Sequence, residues 1–549
     1  MTQRSIETEL ENAKKYIEVL EKEKKETTEK LIAESSKAQE LLSVIIPLGT
    51  ALSSEKDLNI LLNKILLGAQ GICSADGGTI YTKEGNNLIF KIIRNESLKI
   101  MWNDKRVAGS SFPAIPIYDE ETGECNKNNV ASLAAYEGLT INIADAYKNN
   151  DFDFSGTQRF DEQNNYKSTS FLTVPLKNHS NDVIGILQLI NAKDPVSGEI
   201  IDFSKEKEIF VESLSSLAAT AIDNQMLLQG QKDLLDSFIK LISEAIDQKS
   251  PYTGGHCNRV PYITEAIAKA ACGTKTGPFA SFELSNDDMY ELKMAAWLHD
   301  IGKITTPEYV VDKATKLETI HDRISNVSLK IAHLKKDLLI ENPDCPKEKL
   351  QSLDETYAFL EKVNIGGEFL SNDDKEKIKK LAKLQWVNHK NEKEDLLSED
   401  EVLNLCISRG TLNDEERNII NNHIVVTIKM LEKLPLPKGL KRVVEFAGGH
   451  HEKMDGTGYP NGLTKEQMSV QARMMAIADI FEALTACDRP YKKGKKLSEA
   501  IKIMSFMKKE NHIDPDLYNL FLSEKVFENY ASEFLKPEQV DDVKVEDFL

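Results

Sequence analysis

Histidine and aspartate stand side by side at a position where the two side chains could bind a divalent metal ion together. His299 and Asp300 end an apolar stretch that the residue pattern predicts to be a helix. Imidazole and carboxylate ligands suit iron, manganese, zinc or nickel. A second pair, His321 and Asp322, is interpreted as part of a surface helix. Because only 10 of the 549 residues are histidine, a cluster of histidines is more informative than either pair alone.

Further ligand types follow in two stretches nearer the carboxyl end. His450 and His451 are adjacent on a predicted helix or helix end, so their side chains should point in different directions and suit two metal ions better than one. A Gly- and Pro-rich turn follows at 455–460 and would let the backbone approach a ligand closely. Asp479 lies inside an apolar helical segment. A carboxylate is costly to bury there unless it is paired or bound to a metal.

The composition limits the classes of partner. A length of 549 residues corresponds to about three or four domains. The formal net charge of −19 argues against binding duplex nucleic acid but permits a local basic pocket for a small anionic ligand. The seven cysteines form no CxxC pair, the first residues contain no secretory signal, and no apolar run is long enough to span a membrane. The sequence predicts a cytoplasmic protein.

Two stripes of apolar residues at heptad-like spacing predict long helices. The first lies within 1–40, which is rich in Glu, Lys and Ala and is predicted to form a coiled coil. The second runs over 214–245, and it predicts a linker helix at 221–247. Polar Asn224 and Gln231 interrupt this stripe and would set the register of a dimer. We expect a parallel homodimer through both stripes. The alternatives are a single solvated helix with a narrow packing face for the first stripe and packing against one neighbouring domain for the second.

The region 41–220 alternates helix and strand patterns and is predicted to be an α/β domain with an antiparallel sheet. A helix is predicted over 55–72, and two β-rich arms at 171–178 and 183–191 predict a hairpin. The order helix, strands, loops, hairpin, helix resembles a GAF domain, as do the hairpin and the NIADAY stretch at 142–147. The resemblance implies a sensor for an unidentified small molecule.

The GAF-like region matches the cyclic-nucleotide-binding pattern of that family in part. Asn191, Phe203 and Glu208 fit the pattern, whereas Ala192 and Lys207 stand where the family has Lys and Asp. Three roles therefore stay open for this region: nucleotide binding, binding of another ligand, or dimerisation without a ligand.

The second half of the chain resembles the HD-GYP phosphodiesterases, a branch of the HD metal-hydrolase superfamily. The resemblance is carried, in the family's order, by AIDQKSPYTGGHCNRV (245–260), HDIGKI (299–304), LNDEERNIINNH (412–423), HHEKMDGTGYPNGL (450–463) and ADIFEALTACDRPYK (478–492). It implies an all-helical domain, assigned to 248–525, that hydrolyses a cyclic dinucleotide. The fold class expected for the whole chain is therefore multidomain α+β, with a coiled coil, a GAF domain, a linker helix and an all-α HD-GYP domain.

Metal ligands are carried over from this resemblance residue by residue. The positions that match the family's ligands are His299, Asp300, His423, His450, His451 and Asp479. Asp300 matches the carboxylate that bridges the ions. His256 matches an additional histidine of members with three metals, but Tyr252 occupies the position of the carboxylate that accompanies it there. The resemblance thus implies two ions, iron or manganese with nickel or zinc as alternatives, and His256 is the weakest of the ligand assignments.

Substrate contacts come from the same resemblance. Lys303 matches the residue that contacts the scissile phosphate, and Tyr459, Arg489 and Lys492 match substrate-binding positions. Asp300 and Lys303 are therefore the expected catalytic residues. The leading substrate is cyclic di-GMP, cleaved to linear pGpG, with a second cut to GMP left open. The alternatives are 3′,3′-cyclic GMP-AMP as substrate, a catalytically silent protein that binds a dinucleotide or a protein partner, and another HD-superfamily hydrolase.

Two segments depart from the family. Residues 313–410 intervene between the second and third matching stretches, and their charged periodic pattern predicts a helical insertion. His321, His333 and His389 lie in it and are not expected to be ligands. The last residues, 526–549, form an acidic tail that is predicted to be a helix followed by disorder.

Overall fold

The computed structural model describes residues 57–103, 112–119, 122–249, 255–367, 369–487 and 494–549, together with single positions between 16 and 55. The predicted coiled coil at 1–40 lies outside the described residues apart from such single positions, and it stays a prediction. The chain divides into two compact units, Met1–Asp233 (unit 1) and Leu234–Leu549 (unit 2). Among the described residues, no helix is long and apolar enough to cross a membrane.

Unit 1 is built around an antiparallel sheet. Its strands are β1 (Ala75–Glu84), β2 (Asn87–Asn95), β3 (Ile100–Asn103), β4 (Ile115–Pro116), β5 (Ile141–Ile143), β6 (Phe171–Lys177), β7 (Val183–Lys193) and β8 (Ile200–Ile201). They follow the order β3-β2-β1-β7-β6-β5, with β4 paired to β2 and β8 paired to β7. Val174 of β6 lies opposite Leu187 of β7, so the predicted hairpin is confirmed. The predicted α+β class is also confirmed.

Helices cover this sheet. They are α1 (Leu58–Cys73), α2 (Val130–Glu137) and α3 (Ser155–Asn164). Helix α1 begins at Asp57, whose carboxylate accepts hydrogen bonds from two amides of the first turn. Its Leu66 packs with Leu189 of β7 in one apolar cluster. A Cβ at Gly78 of β1 would lie 2.7 Å from the side chain of Leu66, so this glycine lets the helix approach the sheet.

Helix α4 (Lys205–Lys249) is continuous over 45 residues and crosses the boundary between the units. The predicted linker helix at 221–247 lies within it. Its first turns belong to the apolar cluster of unit 1 through Val211 and Leu214. Further along, Leu228 and Phe238 are more than half exposed. The helix therefore has a buried beginning and an exposed apolar stripe beyond it.

Unit 2 consists mainly of helices. Outside the insertion they are α5 (His256–Gly273), α6 (Asn286–Leu298), α7 (Glu308–Val311), α12 (Asp414–Asn421), α13 (His423–Glu432), α14 (Val443–Gly448), α15 (Val470–Thr485), α16 (Leu497–Lys509), α17 (Pro515–Ser523) and α18 (Val526–Phe534). One apolar cluster joins most of them, with Ile267 of α5, Leu298 of α6 and Phe481 of α15 among its members. This core fixes the helix ends that carry the predicted ligands.

The insertion at 313–410 has an apolar core of its own. Its helices are α8 (Ile324–Glu341), α9 (Lys347–Asn364), α10 (Asn372–Ala382) and α11 (Glu399–Leu405). Val327, Leu360 and Ile378 are buried together in its core. The insertion is not wholly helical, because it also contains a two-stranded hairpin of β9 (Gln385–Val387) and β10 (Lys393–Asp395). These strands are too short for a periodic pattern to reveal.

Asp322 caps a helix instead of lying within one. Its carboxylate accepts a hydrogen bond from the amide of Ile324, the first residue of α8, and two from the side-chain amide of Asn364. The interpretation of His321 and Asp322 as part of a helix is therefore wrong, since both precede α8.

The carboxyl-terminal segment contradicts the prediction of disorder. Helix α18 is the predicted helix, and its Phe527 and Tyr530 are buried in the apolar cluster of unit 2. Beyond it, the buried Gln539 donates hydrogen bonds to the carbonyl oxygens of Thr485 and Lys495. The acidic composition of the tail predicts disorder, but Phe527, Tyr530 and Gln539 attach it to the rest of unit 2.

Candidate metal centre

Three histidines lie at helix ends, and the same type of hydrogen bond to a backbone carbonyl gives all three rings the same tautomer. Each ring donates its Nδ1–H to the carbonyl oxygen three residues earlier: His299 to Ala296 at 2.7 Å, His450 to Ala447 at 2.6 Å, and His423 to Ile420. A carbonyl oxygen at a helix end can take such a donor, and it can only accept. The Nε2 atom of each ring therefore carries a lone pair rather than a hydrogen, the form in which histidine binds a metal.

Asp300 lies between these rings. Its Oδ1 is 3.2 Å from Nε2 of His423, and its Oδ2 is 3.2 Å from Nε2 of both His299 and His256. One carboxylate thus presents each of its oxygens to a different set of imidazoles. A carboxylate that bridges two metal ions needs this arrangement.

Ligand atoms converge in three overlapping groups that could hold a metal ion. They are the histidine group (His423, His450, His451), the mixed group (His256, His299, Asp479) and a third group (His299, Asp300, His450). Within each group the ligand atoms lie within 4.8 Å of one another.

Buried polar atoms at this centre lack hydrogen bonds. Oδ1 of Asp300 and Nε2 of His423 and His450 are buried and make no hydrogen bond to any described residue. Buried polar atoms left in this way are costly, because they lose their contacts with water without replacement. An imidazole and carboxylate set with such atoms fits divalent metal ions.

His450 and His451 both reach the histidine group, although their adjacency had suggested that they point in different directions. Their ring centroids are 4.2 Å apart and both rings belong to the histidine group, while His450 alone also belongs to the group with His299 and Asp300. Helix α14 ends at Gly448, before either histidine. The rotation between neighbours in a helix therefore does not apply to this pair.

His256 is held in the centre by a carboxylate that the sequence reasoning missed. Its Nδ1 is 2.5 Å from Oε2 of Glu482, and Oε1 of Glu482 accepts a 2.7 Å hydrogen bond from Arg259. Its Nε2 lies 3.4 Å from Oδ1 of Asp479. His256, the weakest of the ligand assignments, thus lies as close to Asp300 as His299 does. Glu482 follows Asp479 by three residues on α15, one turn along the same helix face, a spacing that could have pointed to it.

Lys303 lies in a short 3₁₀ helix (Ile301–Thr305) that packs directly on α13. Its Nζ is 2.5 Å from Oδ2 of Asp300. The amide of Gly302 donates to Oγ1 of Thr427, and a Cβ at Gly302 would lie 1.9 Å from the carbonyl oxygen of His423. Glycine is therefore required at 302 so that the segment bearing Lys303 can touch the helix bearing His423.

The Gly-Tyr-Pro turn lies beside the histidine group. The ring of Tyr459 stacks on His451, with centroids 4.9 Å apart and planes at 24°. The buried carboxylate of Glu452 accepts hydrogen bonds from the amides of Asn461 and Leu463 and so holds the turn. A Cβ at Gly458 would lie 2.4 Å from the backbone of the chain at Lys453, which excludes any side chain there.

Burial and charge shift the titration of this centre. Burial alone would raise the pKa of Asp300, but Lys303 and His299 hold it well below its usual value. Burial alone would lower the pKa of Lys303, but Asp300 and Asp479 raise it. Burial and the neighbouring His299 lower the pKa of His450 to about 4. At neutral pH Asp300 is thus ionised and His450 is neutral, and these are the protonation states of metal ligands.

The structure brings together every predicted ligand. Tyr459 lies beside them and Lys303 at their edge, whereas Tyr252, Arg489 and Lys492 lie outside the described residues and stay predictions. The histidines of the insertion, His321, His333 and His389, belong to none of the groups found among the described residues. Glu482, Arg259, Thr427 and Glu452 are the supporting residues that the sequence reasoning did not identify.

Comparison with protein families places an HD domain here. Residues 399–517 match the family described as an HD domain. His423, His450, His451 and Asp479 lie inside the matched range, while His299 and Asp300 precede it, on the other side of the insertion. The recognition of an HD domain is confirmed.

Two curated relatives are similar to this chain over part of its length. The 3′3′-cGAMP-specific phosphodiesterase 3 of Vibrio cholerae serotype O1 is 26% identical over 336 residues, which cover 59% of this chain and 48% of that protein. A cyclic di-GMP phosphodiesterase of Pseudomonas aeruginosa is 40% identical over 123 residues, which cover 22% of this chain and 28% of that protein. The chain therefore spans less than half the length of either relative.

Solved structures similar to this chain include the GAF domain of an Acinetobacter phosphoenolpyruvate-protein phosphotransferase. It has 16% sequence identity and a TM-score of 0.26, and the match covers 35% of this chain and 97% of that one. A GAF domain of the corresponding protein from Coxiella burnetii gives 15% identity and a TM-score of 0.27, covering 35% of this chain and 98% of that one.

Proposed function

We propose that this chain is a metal-dependent phosphodiesterase that hydrolyses a cyclic dinucleotide. The observation that carries the proposal is the buried carboxylate of Asp300, whose two oxygens face imidazoles of two different groups. The HD domain and the substrates named for the two curated relatives support the same activity.

Two divalent ions, iron or manganese with nickel or zinc as alternatives, would occupy this centre. His423, His450 and His451 would hold one ion, His299 and Asp479 the other, and Asp300 would bridge them. When bound, the ions would lower the pKa of water and offset charge on the phosphate oxygens. His256 stands beside the second set as an additional ligand, and Tyr252 argues against a separate third ion.

The remaining residues would bind and orient the substrate. Lys303 is protonated at neutral pH and would stabilise negative charge on the scissile phosphate as the 3′-oxygen leaves. The ring of Tyr459 stacks on His451. It would therefore contact the substrate close to the metal ligands. Arg489 and Lys492 would contact guanine edges or phosphates, because an arginine fork binds such groups in pairs of hydrogen bonds.

Cyclic di-GMP is the proposed substrate and linear pGpG the proposed product, with further cleavage to GMP left open. The alternative substrate is 3′,3′-cyclic GMP-AMP, which the name of the first relative favours. The protein should be purified, loaded with iron or manganese and offered each dinucleotide, and the products separated by chromatography. Turnover of neither compound would refute the enzyme assignment and favour a silent dinucleotide-binding or partner-binding protein.

A cavity in unit 1 supports the proposal of a small-molecule sensor. It has a volume of about 380 Å³ and is lined by aromatic rings including Phe90, Phe154 and Phe171, with Arg94 and Gln188 among its polar groups. That volume lies within the range of small-molecule sites. Asn191, which the cyclic-nucleotide pattern had singled out, uses its side chain on the backbone at 167, 169 and 170. A ligand other than a cyclic nucleotide is therefore favoured.

Ligand binding in unit 1 can be tested on the full chain by thermal unfolding. Cyclic nucleotides, nucleobases and aromatic amino acids would be added in turn, and a ligand of the folded state should raise the unfolding temperature. The variant Ala131→Phe puts a ring into the cavity wall and should abolish the shift. A shift that persists in this variant would place the ligand elsewhere.

We further propose a homodimer through the exposed stripe of α4. Leu234, Phe238 and Leu241 are each more than half exposed and follow one another at intervals of four and three residues, and a second copy of the helix would cover them. Light scattering should give twice the chain mass, and Phe238→Glu should shift it toward the monomer while Lys240→Glu should not. A monomeric wild-type protein at micromolar concentration would refute the dimer.

The seven cysteines support a cytoplasmic location for this activity. All seven are free thiols, including the buried Cys73 and Cys257. A protein with many cysteines and no disulfide is typical of a reducing compartment.

A further inference from the structure

The last two turns of α4 hold three backbone segments that carry residues of the metal centre. Oγ of Ser243 donates to the carbonyl oxygen of Trp297 at 2.7 Å, two residues before His299. Oδ2 of Asp247 accepts hydrogen bonds from the amides that flank His256, those of Gly255 and Cys257. The third contact, from Lys249, is the most extensive.

The ammonium group of Lys249 donates three hydrogen bonds to the backbone segment 303–306, which carries Lys303. Its Nζ donates to the carbonyl oxygens of Lys303, Ile304 and Thr306 at 3.2, 2.5 and 2.6 Å. These carbonyls lie at and just beyond the carboxyl end of the short 3₁₀ helix, where backbone carbonyls carry partial negative charge. An ammonium group has three donors, and here all three are used on backbone rather than on a carboxylate.

The segment is thus held from two sides. On one side, Gly302 touches α13 and its amide donates to Thr427. On the other side, Lys249 binds the carbonyls that follow. Between the two contacts the Lys303 side chain reaches Asp300. The same face of α4 also borders a cavity of about 20 Å³ whose other walls include His256, Asp300 and Lys303.

We infer that Lys249 is a positioning residue, which sets the place of the Lys303 ammonium group relative to Asp300 and to a bound phosphate. The inference rests on the proposed phosphodiesterase function. The ammonium group of Lys249 donates to backbone carbonyls and not to the side chain of any predicted metal ligand among the described residues. Its effect on catalysis must therefore pass through the backbone of residues 303–306.

The test is a double-mutant cycle on the metal-loaded full chain. Lys249→Met keeps the length of the side chain and removes its donors, and Lys303→Met does the same at the phosphate-contacting position. Lys249→Met alone should lower kcat by about 10–100-fold with little change in KM, because small misplacements of a catalytic group have costs of this size. In the Lys303→Met background, Lys249→Met should change kcat less than about twofold, because its route of action is already gone.

Two further variants separate positioning from general stability. Lys249→Arg keeps donors for the carbonyls and should recover most of kcat. Lys240→Met removes an exposed lysine of the same helix and should leave kcat unchanged. Equal losses from Lys249→Met in both backgrounds would overturn the inference, as would a kcat unchanged by Lys249→Met.

Hydrogen exchange gives a readout that does not depend on turnover. The amide of Thr306 donates to the carbonyl of Lys303, and that of Lys303 donates to the carbonyl of Asp300. Lys249→Met should increase exchange in the peptide 301–306 and leave the bound metal content unchanged. Unaltered exchange would overturn the inference. A wild-type protein that cleaves neither dinucleotide would refute the proposed function, and the exchange measurement would still decide whether Lys249 holds this segment.

Discussion

Unit 2 contains two clusters of buried polar residues that differ in how their hydrogen bonds are satisfied. In the insertion, Lys313 donates to Glu416 and Asn404, and Lys316 donates to the carbonyl oxygens of Leu405 and Ile407. In the metal centre, imidazole and carboxylate atoms converge while several of them make no hydrogen bond to a described residue. Both clusters bury charge in a helical setting.

The difference distinguishes a structural cluster from a set of side chains that fits metal ions. The buried lysines donate their hydrogen bonds to protein acceptors and so attach the insertion to the rest of unit 2. Their donors are therefore not available to a ligand. In the metal centre, Oδ1 of Asp300 and Nε2 of His423 and His450 are buried acceptors without a donor among the described residues, and a divalent cation would satisfy them. The histidines of the insertion illustrate the same rule, since His333 simply pairs with Asp337 on the exposed face of α8.

The largest expected effect is the loss of turnover in Asp300→Asn, which removes the charge and keeps the shape. Turnover of the cyclic dinucleotide should fall by about 10³-fold or more, because the bridging carboxylate organises several kcal/mol of charge stabilisation. Product chromatography measures the rate, and far-ultraviolet circular dichroism should show an unchanged fold. An active Asp300→Asn variant would show that the ligand cluster has been misassigned.

The insertion should respond to Lys313→Met in stability rather than in metal binding. The substitution leaves the carboxylate of Glu416 without its buried cation, and the free energy of unfolding should fall by about 3–5 kcal/mol. Denaturant unfolding measures the loss, and elemental analysis of the folded fraction should give the wild-type metal content. The double variant with Glu416→Gln should recover part of the stability. Loss of metal at full stability would contradict the distinction between the clusters.

Glu482→Gln tests whether the carboxylate behind His256 supports metal binding, and its expected effect is smaller than that of the two preceding variants. Removing the carboxylate charge behind a ligating histidine should weaken metal affinity by about 10–100-fold, because the ring loses basicity and orientation. Competition with a chelator measures the affinity. Arg259→Met, which keeps the carboxylate, is the matched control and should have a smaller effect. Unchanged affinity in Glu482→Gln would place His256 outside the ligand set.

The last prediction concerns the effect of pH on stability through Lys316. Burial lowers the pKa of its ammonium group from 10.5 to about 8, so the unfolded chain binds more protons than the folded chain between these values. Stability should therefore rise with pH in this window, by at most about 1.4 kcal/mol per pH unit, and this rise should be absent from Lys316→Met. Thermal unfolding of both proteins at pH 7.5 and 10 measures the difference. A parallel pH dependence of the two proteins would show that Lys316 is not the titrating group.

Much of the fold and of the site could be predicted because the signals are local. The hairpin arms of β6 and β7 have strand residues on either side of a turn, and the ligand types stand in short stretches whose order is recognisable. His299, Asp300 and Asp479 are candidates from their neighbours in the sequence, and the order of the matching stretches made them predicted ligands. The packed tail, the β-hairpin of the insertion and the turn at Asp322 were not predicted, because a few anchoring contacts outweigh composition and periodicity there.

The sequence by itself determined which residue types could bind metal and that the described part of unit 1 would be a sheet with helices. The tertiary structure alone decided which of them meet. His256 and Glu482 are 226 residues apart in the chain, and Lys249 reaches a segment more than 50 residues away. No periodic pattern encodes such contacts, because they arise only when the apolar core of unit 2 fixes the ends of its helices relative to one another.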